Sequence, residues 1–176
     1  TAVALTVGIS ISDIKKGLFN FKGVQRRFNK IFTYNGIDFY DDYAHHPTEI
    51  KSILDSVKNV YKRRKIISIF EPHRYSRVMS LKQEFAKSFL NSDFVVLCPI
   101  YAAGEKKNIG FSQIKFGKLI SKFSKTQVII IKNYEQIEKY LKRNLMDNEI
   151  IIGMGAGAIS KYMRGLKNIL WVWAKI

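Results

Sequence analysis

Short, almost entirely apolar runs that alternate with stretches of helical periodicity constrain the fold of this 176-residue chain most strongly. Runs such as 66–70 and 94–100 have no polar face, and helical stripes such as the one over 50–61 separate them. A strand that is apolar on both sides is buried on both sides, as in a parallel sheet covered by helices. The pattern predicts the α/β class: a three-layer, Rossmann-like domain with a mostly parallel sheet of about six strands.

One predicted hairpin departs from this alternation. Short strands over 31–34 and 37–41 are joined by Asn35-Gly36, and both residue types tolerate the positive φ that a tight hairpin turn needs. We therefore expect the hairpin at an antiparallel edge of the sheet. Further strands are expected over 66–70, 94–100, 128–131 and 150–152, and helices over 47–61, 74–90, 114–123, 137–145 and 159–169.

Composition argues against several classes of protein. The single cysteine, Cys98, cannot support a disulfide framework and lies in an apolar run, so we expect it buried in a protein of the reducing cytoplasm. No apolar run approaches the roughly 18 residues that span a bilayer. The net charge of +16 would suit a nucleic-acid partner, but the lysines are scattered over every predicted helix and only 62–65 forms a cluster, at a helix C-terminus. We expect neither a nucleic-acid nor a membrane partner.

Two loops, 41–49 and 71–77, are rich in ionisable and aromatic residues. Each lies where a predicted strand ends and a helix begins, which is the edge where open α/β sheets bind ligands. Folding does not require so many ionisable groups there, so a charged ligand is expected. The pair His45-His46 does not predict a metal site, because adjacent histidines point in different directions and no third ligand follows at a suitable spacing.

The charged residues of these loops allow two interpretations each. Arg74 and Arg77 lie three residues apart and can grip one carboxylate, because guanidinium forks match its geometry. Alternatively, they only pair with Glu71 and Asp42. Asp41 and Asp42 could hold a ribose hydroxyl or, through water, a magnesium ion, or one of the two could simply face solvent.

The glycine-rich segment 153–158 follows a predicted strand and opens a helix, as in a dinucleotide-binding fingerprint. No acidic residue follows Glu149 to hold a ribose, so dinucleotide binding is not expected. Two interpretations stay open: a seat for a carboxylate or phosphate on backbone amides, or only a tight turn. A P-loop of the GxxxxGK[ST] kind is absent from the sequence.

Five ordered segments resemble motifs of the C-terminal domain of the Mur ligases: GVQRRF at 23–28, DDYAHHPTE at 41–49, PHRYSR at 72–77, YAAGE at 101–105 and GAG at 155–157. Within that family, the chain is most similar to the ligases that join L-alanine to UDP-N-acetylmuramic acid. The resemblance implies that residues 1–22 are the tail end of the central ATPase domain and that residues 23–176 form the C-terminal, amino-acid-binding and closing domain.

The resemblance also implies an activity: ADP-forming ligation through an acyl phosphate, in peptidoglycan precursor synthesis, with ATP and Mg²⁺. L-alanine, UDP-N-acetylmuramate and ATP would be the ligands of the full-length enzyme. Its N-terminal and central domains are not in this chain, and the central domain carries the P-loop and the catalytic and metal-binding residues. The chain alone is therefore expected to be inactive and to hold no metal. The alternatives are a domain of the ligase that recycles murein tripeptide, or a non-catalytic remnant that binds an amino acid or nucleotide.

Matching the motifs residue by residue implies the site. The residues expected to orient the amino acid, with the arginines on its carboxylate, are Tyr43, His45, His73, Arg74 and Arg77. Arg27 and Asp42 are expected to contact ATP, the aspartate at the ribose. Two features depart from the family: Glu71 stands where glutamine is more common, and the tail 170–176 is unusually aromatic. The sequence leaves open whether this tail packs on the sheet, contacts a partner or reflects an altered reading frame.

Overall fold

The computed structural model describes residues 1–21 and 23–173. Six strands form one sheet in the order β1-β2-β6-β3-β4-β5, parallel throughout except for the antiparallel pair β1–β2. The strands are β1 (Asn29–Tyr34), β2 (Ile37–Asp42), β3 (Lys65–Phe70), β4 (Phe94–Leu97), β5 (Gln127–Ile130) and β6 (Glu149–Met154). The helices are α1 (Ala2–Thr6), α2 (Ile11–Asn20), α3 (Pro47–Val60), α4 (Tyr75–Ser80), α5 (Lys82–Lys87), α6 (Gln113–Ser124), α7 (Glu135–Asn144) and α8 (Ile159–Trp173).

The strand order explains why helices cover both faces of the sheet. From β3 the chain moves outward through β4 to β5, and it then returns to insert β6 between β2 and β3. Right-handed crossovers that run in opposite directions put their helices on opposite faces. Accordingly, α3, α5 and α6 pack on one core cluster, and α7 and α8 pack on the other. These are called the α3 face and the α8 face below. The predicted three-layer α/β fold with a hairpin edge is confirmed.

The hairpin turns where the sequence predicts it. Asn35 and Gly36 have φ values of 47° and 75°, which is the left-handed conformation that a tight hairpin turn requires. The hairpin is joined to the parallel strands by Arg64, from the basic cluster 62–65. Its guanidinium donates hydrogen bonds to the Asp38 carboxylate and to the carbonyls of Gly36, Asn148 and Glu149. Arg64 therefore joins backbone segments and does not merely complement the dipole of α3.

Two predicted boundaries are wrong. The helix expected over 74–90 is broken at Leu81, which has φ −110° and ψ 27°. The apolar periodicity continues across the break from Val78 to Phe85, both fully buried, so the sequence pattern does not reveal it. The strand expected to reach residue 100 ends at Leu97, close to Pro99, which has no N–H to donate to a neighbouring strand. Cys98 is fully buried as predicted, and burial raises the pKa of its thiol.

The two ends of the chain differ in how they pack. No residue of α1 or α2 is buried, and the Phe19 side chain is 91% exposed. At the other end, Leu170 is fully buried in the α8-face cluster, so this part of the aromatic tail packs against the domain. Residues 174–176 of the tail lie outside the described residues. Among the residues that are described, no helix is both long and apolar enough to cross a membrane.

Candidate functional site

The candidate site lies at the carboxyl edge of the parallel strands. The loop 41–49 follows β2 and the loop 71–77 follows β3, while the glycine turn 155–157 follows β6, which lies between them. The segment 101–105 follows β4 and reaches the same place, because Tyr101 forms an isolated parallel bridge with His73. The strand order therefore brings four segments that are distant in sequence to one edge.

Four rings form a continuous row along this edge. The Tyr43 and His45 ring centres are 5.1 Å apart, and those of His45 and His73 are 5.8 Å apart. His73 in turn stacks on Tyr101, with ring centres 5.5 Å apart and an angle of 16° between the planes. The structure thus brings together the three ring residues that the sequence predicts for the amino-acid pocket. Tyr101 was not singled out, although its position at the start of the YAAGE motif was the available signal.

Hydrogen bonds determine which ring nitrogens of the two histidines carry protons. The Nδ1 atom of His45 lies 2.9 Å from the carbonyl oxygen of Tyr43 and 3.4 Å from Oε2 of Glu49. A carbonyl oxygen can only accept a hydrogen bond, so this nitrogen carries a proton, and the Glu49 carboxylate lies beside it. The Nδ1 atom of His73 accepts from Nη1 of Arg77 at 3.3 Å. Burial lowers the pKa of His73, and the positive charge of Arg77 lowers it further. His73 is therefore neutral at pH 7 and offers Nε2–H as a donor.

The two predicted carboxylate-binding arginines form no ion pair in the described residues, although the positive charge of Arg74 helps to lower the pKa of the Glu105 carboxyl. Arg77 donates to His73, and the exposed side chain of Arg74 makes neither a hydrogen bond nor an ion pair there. The alternative interpretation, in which they only pair with Glu71 and Asp42, is wrong because those carboxylates have other partners. The start of α4 is held separately, since Glu105 accepts hydrogen bonds from the backbone and the side chain of Ser76. Two guanidinium groups thus remain available to a ligand.

The two aspartates at the end of β2 lie on opposite faces of the sheet. Asp41 accepts hydrogen bonds from Ser160 at 2.6 Å and Arg164 at 2.9 Å on the α8 face. Asp42 is 1% exposed and accepts from the backbone N–H groups of Phe28 and Ala44, both at 2.6 Å. Burial raises the pKa of the Asp42 carboxyl, against the opposing effect of these hydrogen bonds. The expectation that one aspartate could face solvent is wrong, because helices cover both faces of this sheet. The ribose contact of Asp42 stays a prediction.

The glycine turn contains a carboxylate from the chain itself. Glu71 is fully buried and accepts a hydrogen bond from the hydroxyl of Tyr134, and the amides of residues 157–159 lie against its carboxylate. Burial raises the pKa of Glu71, and these donors oppose the rise. A Cβ atom on Gly157 would clash with Oε1 of Glu71 and lie 2.5 Å from Cγ of Tyr101. Of the two interpretations left open, the anion seat exists but is filled by Glu71.

His46 and the junction residues have roles that the sequence analysis did not assign. The His46 side chain caps α3, and Glu49 completes the capping box by accepting from the His46 backbone. The signal was a His-Pro-Thr-Glu sequence with a histidine in place of the usual serine or threonine. The Arg27 side chain is 59% exposed, and within the described ranges its one ion pair is with Glu49 at 3.9 Å, so it is available to a phosphate. Arg26 points inward instead, with its guanidinium over the Tyr43 ring.

Comparison with known proteins gives consistent results. Residues 26–157 match a family model described as Mur ligase, glutamate ligase domain. The UDP-N-acetylmuramate–L-alanine ligase of Pelagibacter ubique is 52% identical over 169 residues, which cover 96% of this chain and 36% of that protein. The crystal structure of a UDP-N-acetylmuramate-alanine ligase from Thermotoga maritima superposes with a TM-score of 0.78 at 25% identity, over 97% of this chain and 36% of that one.

A third similarity concerns the fold. A murein peptide ligase from Psychrobacter arcticus superposes with a TM-score of 0.70 at 23% identity, over 96% of this chain and 35% of that one. In each of these comparisons the chain spans about a third of the length of its relative.

Proposed function

Since the chain belongs to the Mur ligase family, we propose that it is the C-terminal, amino-acid-binding domain of a cytoplasmic, ADP-forming UDP-N-acetylmuramate–L-alanine ligase. The proposed reaction phosphorylates the lactyl carboxylate of UDP-N-acetylmuramate with ATP. The neutral amine of L-alanine then attacks the acyl carbon and the C–N bond forms. The C–O bond to the phosphate breaks, phosphate leaves with its electron pair, and the nitrogen loses a proton. The name of the Pelagibacter ubique relative and its 52% identity support this assignment.

The observation that carries the proposal is the row of rings beside two arginines that form no ion pair in the described residues. Arg74 and Arg77 bind the carboxylate of alanine, because guanidinium groups bind carboxylates through charge-assisted hydrogen bonds. His73 is a neutral donor within the same row, while Tyr43 and His45 orient the amino acid. Holding the carboxylate fixes where the amine points, and such orientation lowers the barrier to attack.

The nucleotide is proposed to bind at the junction before β1. The exposed guanidinium of Arg27 contacts the ATP phosphates, and Asp42 contributes to the nucleotide site at the ribose. Closure of this domain over the central domain then excludes water from the acyl phosphate. The magnesium ion, which stabilises the charge of the phosphates, is proposed to be held mainly by the part of the ligase outside this chain.

The division of the chain is part of the same proposal. Residues 1–22 belong to the end of the central ATPase domain, and residues 23–176 form the C-terminal domain. The exposed apolar side chains of α1 and α2, such as Val3 and Phe19, support this division, because the C-terminal domain does not bury them.

The test is steady-state kinetics of the full-length ligase, with UDP-N-acetylmuramate, L-alanine and ATP. Replacing Arg77 with alanine is expected to raise the KM for L-alanine at least about tenfold, since a charge-assisted hydrogen bond of about 1.5–3 kcal/mol is lost. The KM for ATP should change less than about twofold. Arg63→Ala is the matched control, because Arg63 is exposed and lies before β3, whereas the site segments follow the strands at their opposite ends. An unchanged KM for L-alanine in Arg77→Ala would contradict the assignment of the pocket.

The wild-type enzyme distinguishes the alternatives. Turnover that requires both the UDP-sugar and L-alanine supports the proposed reaction. Turnover with murein tripeptide in place of L-alanine would identify the recycling ligase instead. A folded full-length protein that forms no ADP with either substrate would favour a non-catalytic binding domain.

A further inference from the structure

Arg26 contacts two of the segments that form the candidate site. Its guanidinium carbon lies 4.4 Å from the centre of the Tyr43 ring, and its Nη2 donates a 2.7 Å hydrogen bond to the carbonyl of Gly155. Its own carbonyl accepts a 2.8 Å hydrogen bond from the N–H of Tyr43. Arg26 therefore holds Tyr43 through both backbone and side chain, and it ties Tyr43 to the turn that follows β6.

This arrangement has two unfavourable features. The backbone of Arg26 is left-handed, with φ 59°, and its Nε atom is buried without a hydrogen-bond partner. Such features persist only where surrounding contacts outweigh them, and they concentrate at functional sites. A lysine could not reproduce the contacts, because only a planar fork covers an aromatic ring with one surface and donates from its edge.

The next two residues show how the junction is divided. Arg27 points outward, whereas the N–H of Phe28 donates to Asp42 and its ring stacks on Tyr40 with centres 4.2 Å apart. The junction thus exposes Arg27 to solvent, while the side chains of its neighbours Arg26 and Phe28 contact the domain. A change in the junction conformation would move the guanidinium of Arg26 and, with it, the Tyr43 ring.

We infer that Arg26 is a positioning residue, which fixes the Tyr43 ring against His45 and so makes the shape of the amino-acid pocket depend on the junction. The inference deepens the proposed function and rests on it. Arg26 touches no substrate. It acts through Tyr43, whose ring interactions in the described residues are with Arg26 and His45.

The experiment is a double-mutant cycle in the full-length ligase with Arg26→Ala, Tyr43→Ala and the double variant. Arg26→Ala is expected to raise the KM for L-alanine about tenfold and to change the KM for ATP less than about twofold, because the pocket is loosened and the nucleotide site is not. In the Tyr43→Ala background the same substitution should add less than about threefold, because its effect passes through the missing ring. Arg26→Lys should recover little of the loss.

The control cycle pairs Tyr43→Ala with Arg63→Ala. Arg63 is exposed, so its substitution should have a small effect that adds to the effect of Tyr43→Ala. Full additivity of Arg26→Ala and Tyr43→Ala, or a rise in the KM for ATP with that for L-alanine unchanged, would overturn the inference. The second result would make Arg26 a nucleotide-binding residue.

Melting temperatures of the same variants test the role of Arg26 independently of the proposed reaction. If the wild-type enzyme forms no ADP with any amino acid, the proposed function fails. Arg26 is then judged on melting temperature alone. If the changes in melting temperature caused by Arg26→Ala and Tyr43→Ala are not additive in the double variant, the inference that Arg26 holds the Tyr43 ring is supported. Additive changes would overturn it.

Discussion

The stability of the hairpin edge is predicted to depend on the charge of Asp38. This carboxylate is 8% exposed and accepts hydrogen bonds from Lys30, Arg64 and Thr33. Burial by itself would raise its pKa, but the three hydrogen bonds outweigh burial and lower the pKa from 3.8 to about 2. The substitution Asp38→Asn keeps the shape of the side chain and removes the charge.

The magnitude follows from the difference between the folded and unfolded pKa values. Each pKa unit corresponds to about 1.4 kcal/mol, so a fall from 3.8 to about 2 contributes roughly 2 kcal/mol at neutral pH. Because the folded pKa is the lower one, this contribution is present above pH 3.8 and is lost as the pH falls towards 2. By about pH 3, about 1 kcal/mol of it has gone. The amide group of the asparagine also places an N–H donor against the side chains that donate to Asp38, which adds to the loss of stability.

The assay is urea unfolding of the wild-type chain and the variant between pH 7 and pH 3. Asp38→Asn should lower the free energy of unfolding by about 2 kcal/mol at pH 7, and the difference from wild type should shrink by about 1 kcal/mol at pH 3. Asp147→Asn is the matched control. The Asp147 side chain is exposed and has neither a hydrogen bond nor an ion pair in the part of the chain that the structure describes, so a change of at most about 0.5 kcal/mol is expected. An equal loss for Asp38→Asn at both pH values would refute the electrostatic explanation.

Two further predictions concern the buried groups near the site. Gly157→Ala should lower kcat/KM for L-alanine at least about tenfold, because the new methyl group displaces Glu71 or Tyr101. The control is Gly165→Ala in α8, where a Cβ meets nothing within 4 Å, and it should leave kcat/KM unchanged. Equal effects of the two substitutions would contradict the explanation. Cys98 should react with a disulfide reagent at pH 8 only as fast as the domain opens, since it is fully buried and burial raises its thiol pKa. Rapid labelling of the folded protein, followed by absorbance of the released thiolate, would show that this part of the core is accessible.

The layered fold and the location of the site could be predicted because both depend on local patterns. Solidly apolar strands imply coverage on both faces, and the turn residues Asn35 and Gly36 mark the hairpin. The carboxyl ends of parallel strands share one edge, so the two ionisable loops had to lie near each other. The insertion of β6 between β2 and β3 has no such local signal, because it is decided by the packing of distant segments.

The hydrogen-bond partners of the charged residues could not be predicted in the same way. Asp41 pairs with Arg164, which is 123 residues away in sequence, on the face opposite to that of Asp42. No periodicity connects residues at that separation, and strand alternation alone could not say that a helix covers each face. The same limit applies to Arg26 and Arg27, which are adjacent and chemically identical but point in different directions.

The two edges of the sheet use arginine in opposite ways, and this contrast supports an anionic ligand more strongly than the net charge does. At the amino edge, Arg64 is satisfied by three carbonyls and a carboxylate. At the carboxyl edge, the acids Asp42 and Glu71 are buried and already hydrogen-bonded, and Glu105 accepts its hydrogen bonds from Ser76. Arg74 and Arg77 form no ion pair in the described residues, although Arg74 is close enough to Glu105 to lower the pKa of its carboxyl. A fold that needed those arginines for stability would pair them with the acids beside them. Their freedom therefore fits a function that brings a carboxylate from outside.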